Sequence, residues 1–126
     1  MELLAPAGNK ESLIAAINSG ADAIYLSGKK FGARAYALNF SNEELKEAIR
    51  IGKIYGVKIY VTMNTLVKEN EVEEFLDQVE FLYVNGVDAI LMQDFGMICL
   101  CLKKFPNLEI HASTQAHNVS REGIDF

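Results

Sequence analysis

Hydrophobic positions follow two alternating rhythms along this chain. Short apolar runs of strand length, at roughly 2–5, 22–27, 57–63, 88–93 and 109–113, are separated by stretches with apolar residues every three or four positions. Leu45, Ala48, Ile49 and Gly52 share one face of a predicted second helix. Val72, Phe75, Leu76, Val79, Leu82 and Tyr83 do the same in a third. Start signals precede the helices. Asn9 is placed to cap the first, Ser41 with Glu44 forms a capping box for the second, and Asn70 with Glu73 resembles one for the third. A fourth helix is predicted from near Asp94 to a point before Pro106, with Ile98, Cys101, Leu102 and Phe105 facing inward. Gly20, Gly56 and Gly86 stand where the first three helices end and a positive φ is favoured.

One phrase occurs twice. Ser19-Gly-Ala-Asp-Ala-Ile-Tyr-Leu26 and Asn85-Gly-Val-Asp-Ala-Ile-Leu-Met92 share the order small polar, Gly, small apolar, Asp, Ala, Ile and two more apolar residues. Each copy follows a helical pattern and opens an apolar run that reads as a strand buried on both faces. Strict alternation of strand and helix predicts a parallel sheet covered by helices. The first strand is followed by no GxGxxG and the chain holds no Walker loop, which removes the main support for a nucleotide-binding doubly wound sheet. A (β/α)₈ barrel takes about 250 residues, and 126 are present here. The fold expected is therefore α/β, the N-terminal half of a TIM-type barrel with about five strands and four to five helices. It forms a single truncated half-barrel domain over 1–126 without an internal linker.

Composition narrows the partners. With 50% hydrophobic and 23% charged residues, the chain belongs with globular rather than disordered proteins. No apolar run approaches the roughly 18–20 residues of a membrane span, and Met1 to Pro6 is too short and too acidic for a secretory signal. A net charge of −5 argues against a charge-driven, sequence-independent grip on nucleic acid and leaves room only for a local basic patch. Two cysteines, Cys99 and Cys101, make no disulfide framework and favour a reducing, cytoplasmic compartment.

Parallel α/β folds gather their chemistry at the C-terminal ends of strands. Those ends read Ala5-Pro6-Ala7-Gly8, Ser27-Gly28, Asn64-Thr65, Gln93-Asp94 and Ser113-Thr114-Gln115. Three successive apolar strands turn into amides and hydroxyls at the same end, which marks one polar rim of a pocket. Each such residue also has a plainer possible duty in a loop or helix cap, Asp94 above all. The segment after the second strand, 29–40, is longer than the usual 2–6 residues of a βα loop and carries three cations and three aromatics. Within it Arg34 can fork onto a carboxylate or phosphate, or pair with a surface acid.

His111 and His117 have no metal-ligand spacing and no third ligand anchored nearby, so no metal site is assigned. Strand alternation sets His111, Ser113 and Gln115 on one side and Ile110, Ala112 and Thr114 on the other. His111 reads as a hydrogen-bonded interior residue. Ser113 with His111 lacks both an orienting acid and a nucleophile elbow. Cys99 and Cys101 diverge by about 200° on a helix and cannot readily share an ion. No catalytic residue is assigned.

"MELLAPAGN", "GADAIYLSGKKFGARAYALNFS", "GVKIYVTMNTL", "GVDAILMQDFG" and "IHASTQAHN" resemble, in order and spacing, the N-terminal part of peptidase family U32, the collagenase-like proteases. The resemblance extends over essentially the whole chain. It implies a TIM-type barrel with further C-terminal segments and a peptidase label whose mechanism is thin. Several members act as hydroxylation proteins on transfer RNA, ribosomal RNA or ubiquinone precursors. The RNA-directed members depend on prephenate, and four cysteines holding an iron–sulfur cluster recur in the family's later segments. Cys99 and Cys101 match none of those cluster positions, so no cofactor is expected within this chain. Arg34, Tyr36, Asn39, Asn64, Gln93, Asp94, Ser113, Thr114 and Gln115 lie in matching motifs. The resemblance implies that they line a substrate pocket, Arg34 for an anionic group of a small, prephenate-like dianion and the amides and hydroxyls for orientation. The expectation is a cytoplasmic, non-membrane enzyme fragment, inactive alone, whose RNA or peptide substrate is met by the C-terminal part. The alternative is a non-catalytic scaffold, or a split subunit completed by a partner or by self-association through open sheet edges.

Overall fold

The aspartate of the duplicated phrase does in space what the repeat suggests in sequence: it performs one task twice. In the computed structural model, which describes residues 3–29, 31 and 39–112, the Asp22 carboxylate accepts a hydrogen bond from the Leu3 N–H at 2.8 Å. The Asp22 N–H donates to the Leu3 carbonyl, also at 2.8 Å. Asp88 repeats the arrangement on Ile59, its carboxylate accepting at 2.7 Å and its N–H donating at 3.0 Å. Each aspartate thus clips the entry of its own strand to the entry of the strand before it and sets their register.

The strands so aligned are β1 (Leu4–Pro6), β2 (Ala23–Ser27), β3 (Lys58–Met63), β4 (Ala89–Met92) and β5 (Ile110–Ala112). All pair in parallel and in the order β1-β2-β3-β4-β5. Between them run α1 (Lys10–Asn18), α2 (Asn42–Tyr55), α3 (Val72–Val84) and α4 (Phe95–Lys104). The predicted alternation is present in full over the described residues.

Three of the four predicted helix starts are found. The Asn9 side chain accepts from the Ser12 N–H, Ser41 and Glu44 form a reciprocal capping box, and Asp94 caps α4. The fourth differs. Asn70 does not cap α3, because the chain first makes a 3₁₀ turn over Glu69–Glu71. There the Glu71 carboxylate reaches back to the Lys68 N–H at 3.0 Å. That turn takes up Asn70 and leaves Glu71 at the N-cap position of α3.

Helices cover one face of the sheet. Leu13 of α1, Leu45 and Ile49 of α2, Phe75, Val79 and Leu82 of α3, and Ile98 and Cys101 of α4 join one core with Ile24, Leu26, Ile59, Val61, Met63, Ile90 and Met92. Sequential strand order with every crossover on the same side is the wall of a barrel; a doubly wound sheet reverses order and carries helices on both faces. Packing is close where α2 meets β3. A Cβ added to Gly52 would stand 2.6 Å from the Ile59 side chain and 2.7 Å from the Val57 carbonyl oxygen.

The opposite face is a smaller cluster of Ala23, Tyr60 and Ala89, with Tyr25 and Leu91 against it. Tyr60 is only 4% exposed although no described helix lies over it. His111 of β5 meets the Tyr60 ring edge-on, with centroids 5.0 Å apart, so the contact passes over β4. Side chains from alternate strands meeting in a layer are characteristic of a barrel interior. No helix among the described residues is long and apolar enough to cross a membrane.

Two substitutions test this account by urea unfolding. Gly52→Ala forces β3 away from α2 and lowers stability by about 1–3 kcal/mol. Asp88→Ala leaves the Ile59 N–H without its charged acceptor and costs about 1–3 kcal/mol. Glu44 adds a pH dependence. Its carboxyl is held below the usual 4.5, first by the hydrogen bond from the Ser41 backbone and then by the Ser41 side chain. Because the folded value is depressed, the box contributes above the ordinary glutamate range and is lost as pH falls through the folded value. Glu44→Gln removes that acid-range slope, whereas Ser41→Ala removes only part of it, because the residue 41 N–H still donates to the Glu44 carboxylate.

Candidate functional site

At the C-terminal ends of β3 and β4, apolar strands give way to polar residues side by side. Met63 and Met92 are in register as the last residues of β3 and β4. Continuing that register sets Asn64 opposite Gln93, both half-buried. Asn64 is engaged by a neighbour, as is Asn39. Asn39 precedes Phe40, whose N–H donates to the Ser27 carbonyl at 2.9 Å, and Phe40 bridges to Gly28. The end of the long 29–40 segment therefore returns to the top of β2, where that segment began.

Near its start Phe31 has a backbone φ of 63°, a left-handed conformation that a side chain bearing a Cβ adopts at a cost of about 1–2 kcal/mol. The cost is offset by its ring, which packs edge-on against Phe75 of α3 with centroids 5.1 Å apart. Nothing in the sequence marked Phe31 as an anchor.

Asp94 is the most fully defined rim residue. Its Oδ1 accepts from the Met97 N–H at 3.2 Å, the cap of α4. Its Oδ2 accepts from the Val67 N–H at 2.9 Å, in the loop that follows β3. Arg34, Tyr36, Ser113, Thr114 and Gln115 lie outside the described residues, as does His117. Among the nine candidates, then, the structure brings Asn64, Gln93 and Asp94 together at adjacent strand ends and places Asn39 beside β2.

Below the rim, on the concave face, His111 lies against Tyr60 with its Nε2 3.6 Å from the Glu109 carboxylate. Alternation along β5 holds: Ile110 packs toward the helices and His111 does not. The His111 side chain is 39% exposed, so it borders the concave face and is not enclosed by it. A separate groove of about 210 Å³ between α1 and α2 is floored by Leu13, Phe40 and Ile51. Two of its acids are already engaged, Glu44 in the capping box and Glu47 with Arg50.

The buried Cys101 thiol is poorly suited to hold an iron–sulfur cluster. Cys101 is fully buried and Cys99 half-buried. Burial pushes the Cys101 thiol from the ordinary 9.0 up to about 12, only partly opposed by Lys104, whereas a cluster ligand must be a thiolate. No group of three His, Cys, Asp or Glu side chains among the described residues is arranged to hold a metal ion.

Comparison with known proteins adds what geometry alone cannot. The model of Peptidase family U32 matches residues 8–126. The chain is 38% identical over 125 residues to the tRNA hydroxylation protein P1 of Bacillus subtilis, covering 99% of this chain and 30% of that protein. It is 42% identical to the 23S rRNA 5-hydroxycytidine C2501 synthase of Escherichia coli, over 91% of this chain and 17% of the synthase. A collagenase of Porphyromonas gingivalis is 32% identical, over 99% of this chain and 30% of its own. The chain thus spans about a third or less of these relatives. In structure it superposes on half of the U32 peptidase Mk0906, with TM-score 0.74, 13% identity and 92% of this chain covered. It also superposes on half of a phosphonopyruvate hydrolase, with TM-score 0.65, 18% identity and 98% of this chain covered.

Thiol chemistry checks the Cys101 environment. At pH 8 a thiol-specific reagent labels Cys99 in the folded protein and reaches Cys101 only on unfolding. Because the folded thiol value is raised, the stability linked to burying Cys101 is complete below pH 9.0 and declines as pH rises toward about 12. Cys101→Ala removes that alkaline decline.

Proposed function

The chain belongs to peptidase family U32, and from that premise we propose that it supplies one side of the substrate pocket of an RNA-hydroxylation protein built on a (β/α) barrel. The observation that carries this reading is the rim. Asn64, Gln93 and Asp94 cluster at the C-terminal ends of β3 and β4, the end at which parallel barrels place their chemistry. Two of the relatives described above, at 38% and 42% identity, are named for RNA hydroxylation.

In this reading the pocket takes a small dianionic, prephenate-like metabolite. Arg34 receives one anionic group as a planar fork. Asn39, Asn64, Gln93, Ser113, Thr114 and Gln115 orient the rest by neutral hydrogen bonds, and Tyr36 packs against it. The RNA, and an iron–sulfur cluster, are held by other parts of the full-length protein. Neither α4 thiol takes part. With a net charge of −5, this part of the protein makes a weak platform for a polyanion, which suits a division between a metabolite-binding side and an RNA-binding side.

Peptide hydrolysis is the competing activity. Among the described residues no nucleophile has a base and an orienting acid in hydrogen-bond reach, so the described part of the rim offers no support for hydrolysis.

The test is made with the full-length protein in cells lacking the gene. Complementation by the unaltered protein restores a hydroxylated nucleoside detectable by mass spectrometry of total RNA. Arg34→Ala lowers that signal by about tenfold or more, in line with loss of a bidentate charged contact of roughly 1.5–3 kcal/mol. Unchanged RNA modification in the deletion strain, together with collagen-peptide cleavage by the purified protein, overturns the proposal.

A further inference from the structure

We propose that Asp94 is a positioning residue that locks the loop after β3 to the start of α4 and thereby sets the spacing of Asn64 and Gln93 across the rim. The inference deepens the anion-pocket reading above and rests on it for its functional meaning. Its geometry stands independently.

Asp94 follows Gln93 directly, and Asn64 lies opposite Gln93 when the Met63–Met92 register is continued. The two loops leaving these strands have no sheet pairing beyond that point. Asp94 replaces it. One carboxylate oxygen takes the Met97 N–H of its own helix, and the other takes the Val67 N–H across the strand gap. The Asp94 carbonyl also accepts from the Ile98 N–H at 2.9 Å, so the residue is bound to α4 through main chain and side chain alike. A helix start makes a stiff anchor, and a charge-assisted bond from it is stronger than a neutral one. Asp94 therefore carries the stiffness of α4 into a loop that lacks secondary structure between Asn64 and Lys68.

The same bonds decide its relation to a ligand. A carboxylate bare to the pocket would repel a dianion. Here each oxygen faces a backbone donor and the charge sits at a helix N-terminus, where it is compensated. Asp94 is thus compatible with an anionic ligand as a brace, and not as a contact to it. Its neighbours Asn64 and Gln93 are neutral amides, which do not repel an anion.

The experiment separates the two bonds by NMR on the ligand-free protein. Asp94→Ser keeps a capping oxygen for Met97, since serine is a good N-cap, but offers no second acceptor to Val67. The Val67 amide then exchanges with solvent about tenfold faster, the Met97 amide keeps its protection, and the side-chain amide signals of Asn64 and Gln93 move. Asp94→Asn, closer in shape and also limited to one acceptor oxygen, gives the same pattern and covers the case in which the serine variant folds poorly. Unchanged Val67 exchange in both variants overturns the proposal. So does a freed Val67 amide with stationary Asn64 and Gln93 signals, because the brace would then be structural only. No ligand enters the measurement, so its failure is distinct from failure of the anion-pocket reading, which the RNA assay decides.

Discussion

The structure depends on a single constraint: each of the first four strands is followed by a helix that returns on the same side of the sheet. Alternate residues of every strand consequently meet different surroundings. One set faces the helices and must be large and apolar, as Ile24, Leu26, Ile59, Val61, Ile90 and Met92 are. The other set faces what would be a barrel interior and is shaped by neighbouring strands. Here Tyr60 is enclosed beside Ala23 and Ala89 and by His111 from two strands away. Small Ala23 and Ala89 on the neighbouring strands leave room for the Tyr60 ring, with Tyr25 and Leu91 packed against the cluster.

Polar residues divide by the end of the sheet they occupy. Asp22 and Asp88, at strand entries, spend their carboxylates on the preceding strand's backbone and fix register. Asp94, at a strand exit, spends its own on the first turn of α4 and on the loop after β3. The same side chain is a staple at one end and a brace at the other, because strand entries need alignment while strand exits must hold separate loops at a working distance. In the proposed arrangement, this division is what holds Asn64 and Gln93 at a set distance across the strand ends. The family includes proteins named for hydroxylation and for proteolysis, as a single fold can host different chemistries.

The order of strands and helices, three of the four helix starts and the half-barrel class were legible in the sequence by itself. Each follows from local periodicity or from a capping side chain that bonds within three residues of itself, as Asn9, Ser41 and Asp94 do. That Asn64, Gln93 and Asp94 fall at strand ends was legible for the same reason, since strand ends are local. The α3 start was misplaced because two overlapping acid-bearing signals compete there, and Glu71 reaching Lys68 prevailed. What only the tertiary structure decided are the bonds that leap between units: Asp22 to Leu3, Asp88 to Ile59, Asp94 to Val67, and the rings of Phe31 on Phe75 and His111 on Tyr60. A sequence records which side chain is available at a position, whereas the donor or ring it meets is set by how neighbouring strands align, and that alignment exists only once the sheet has formed.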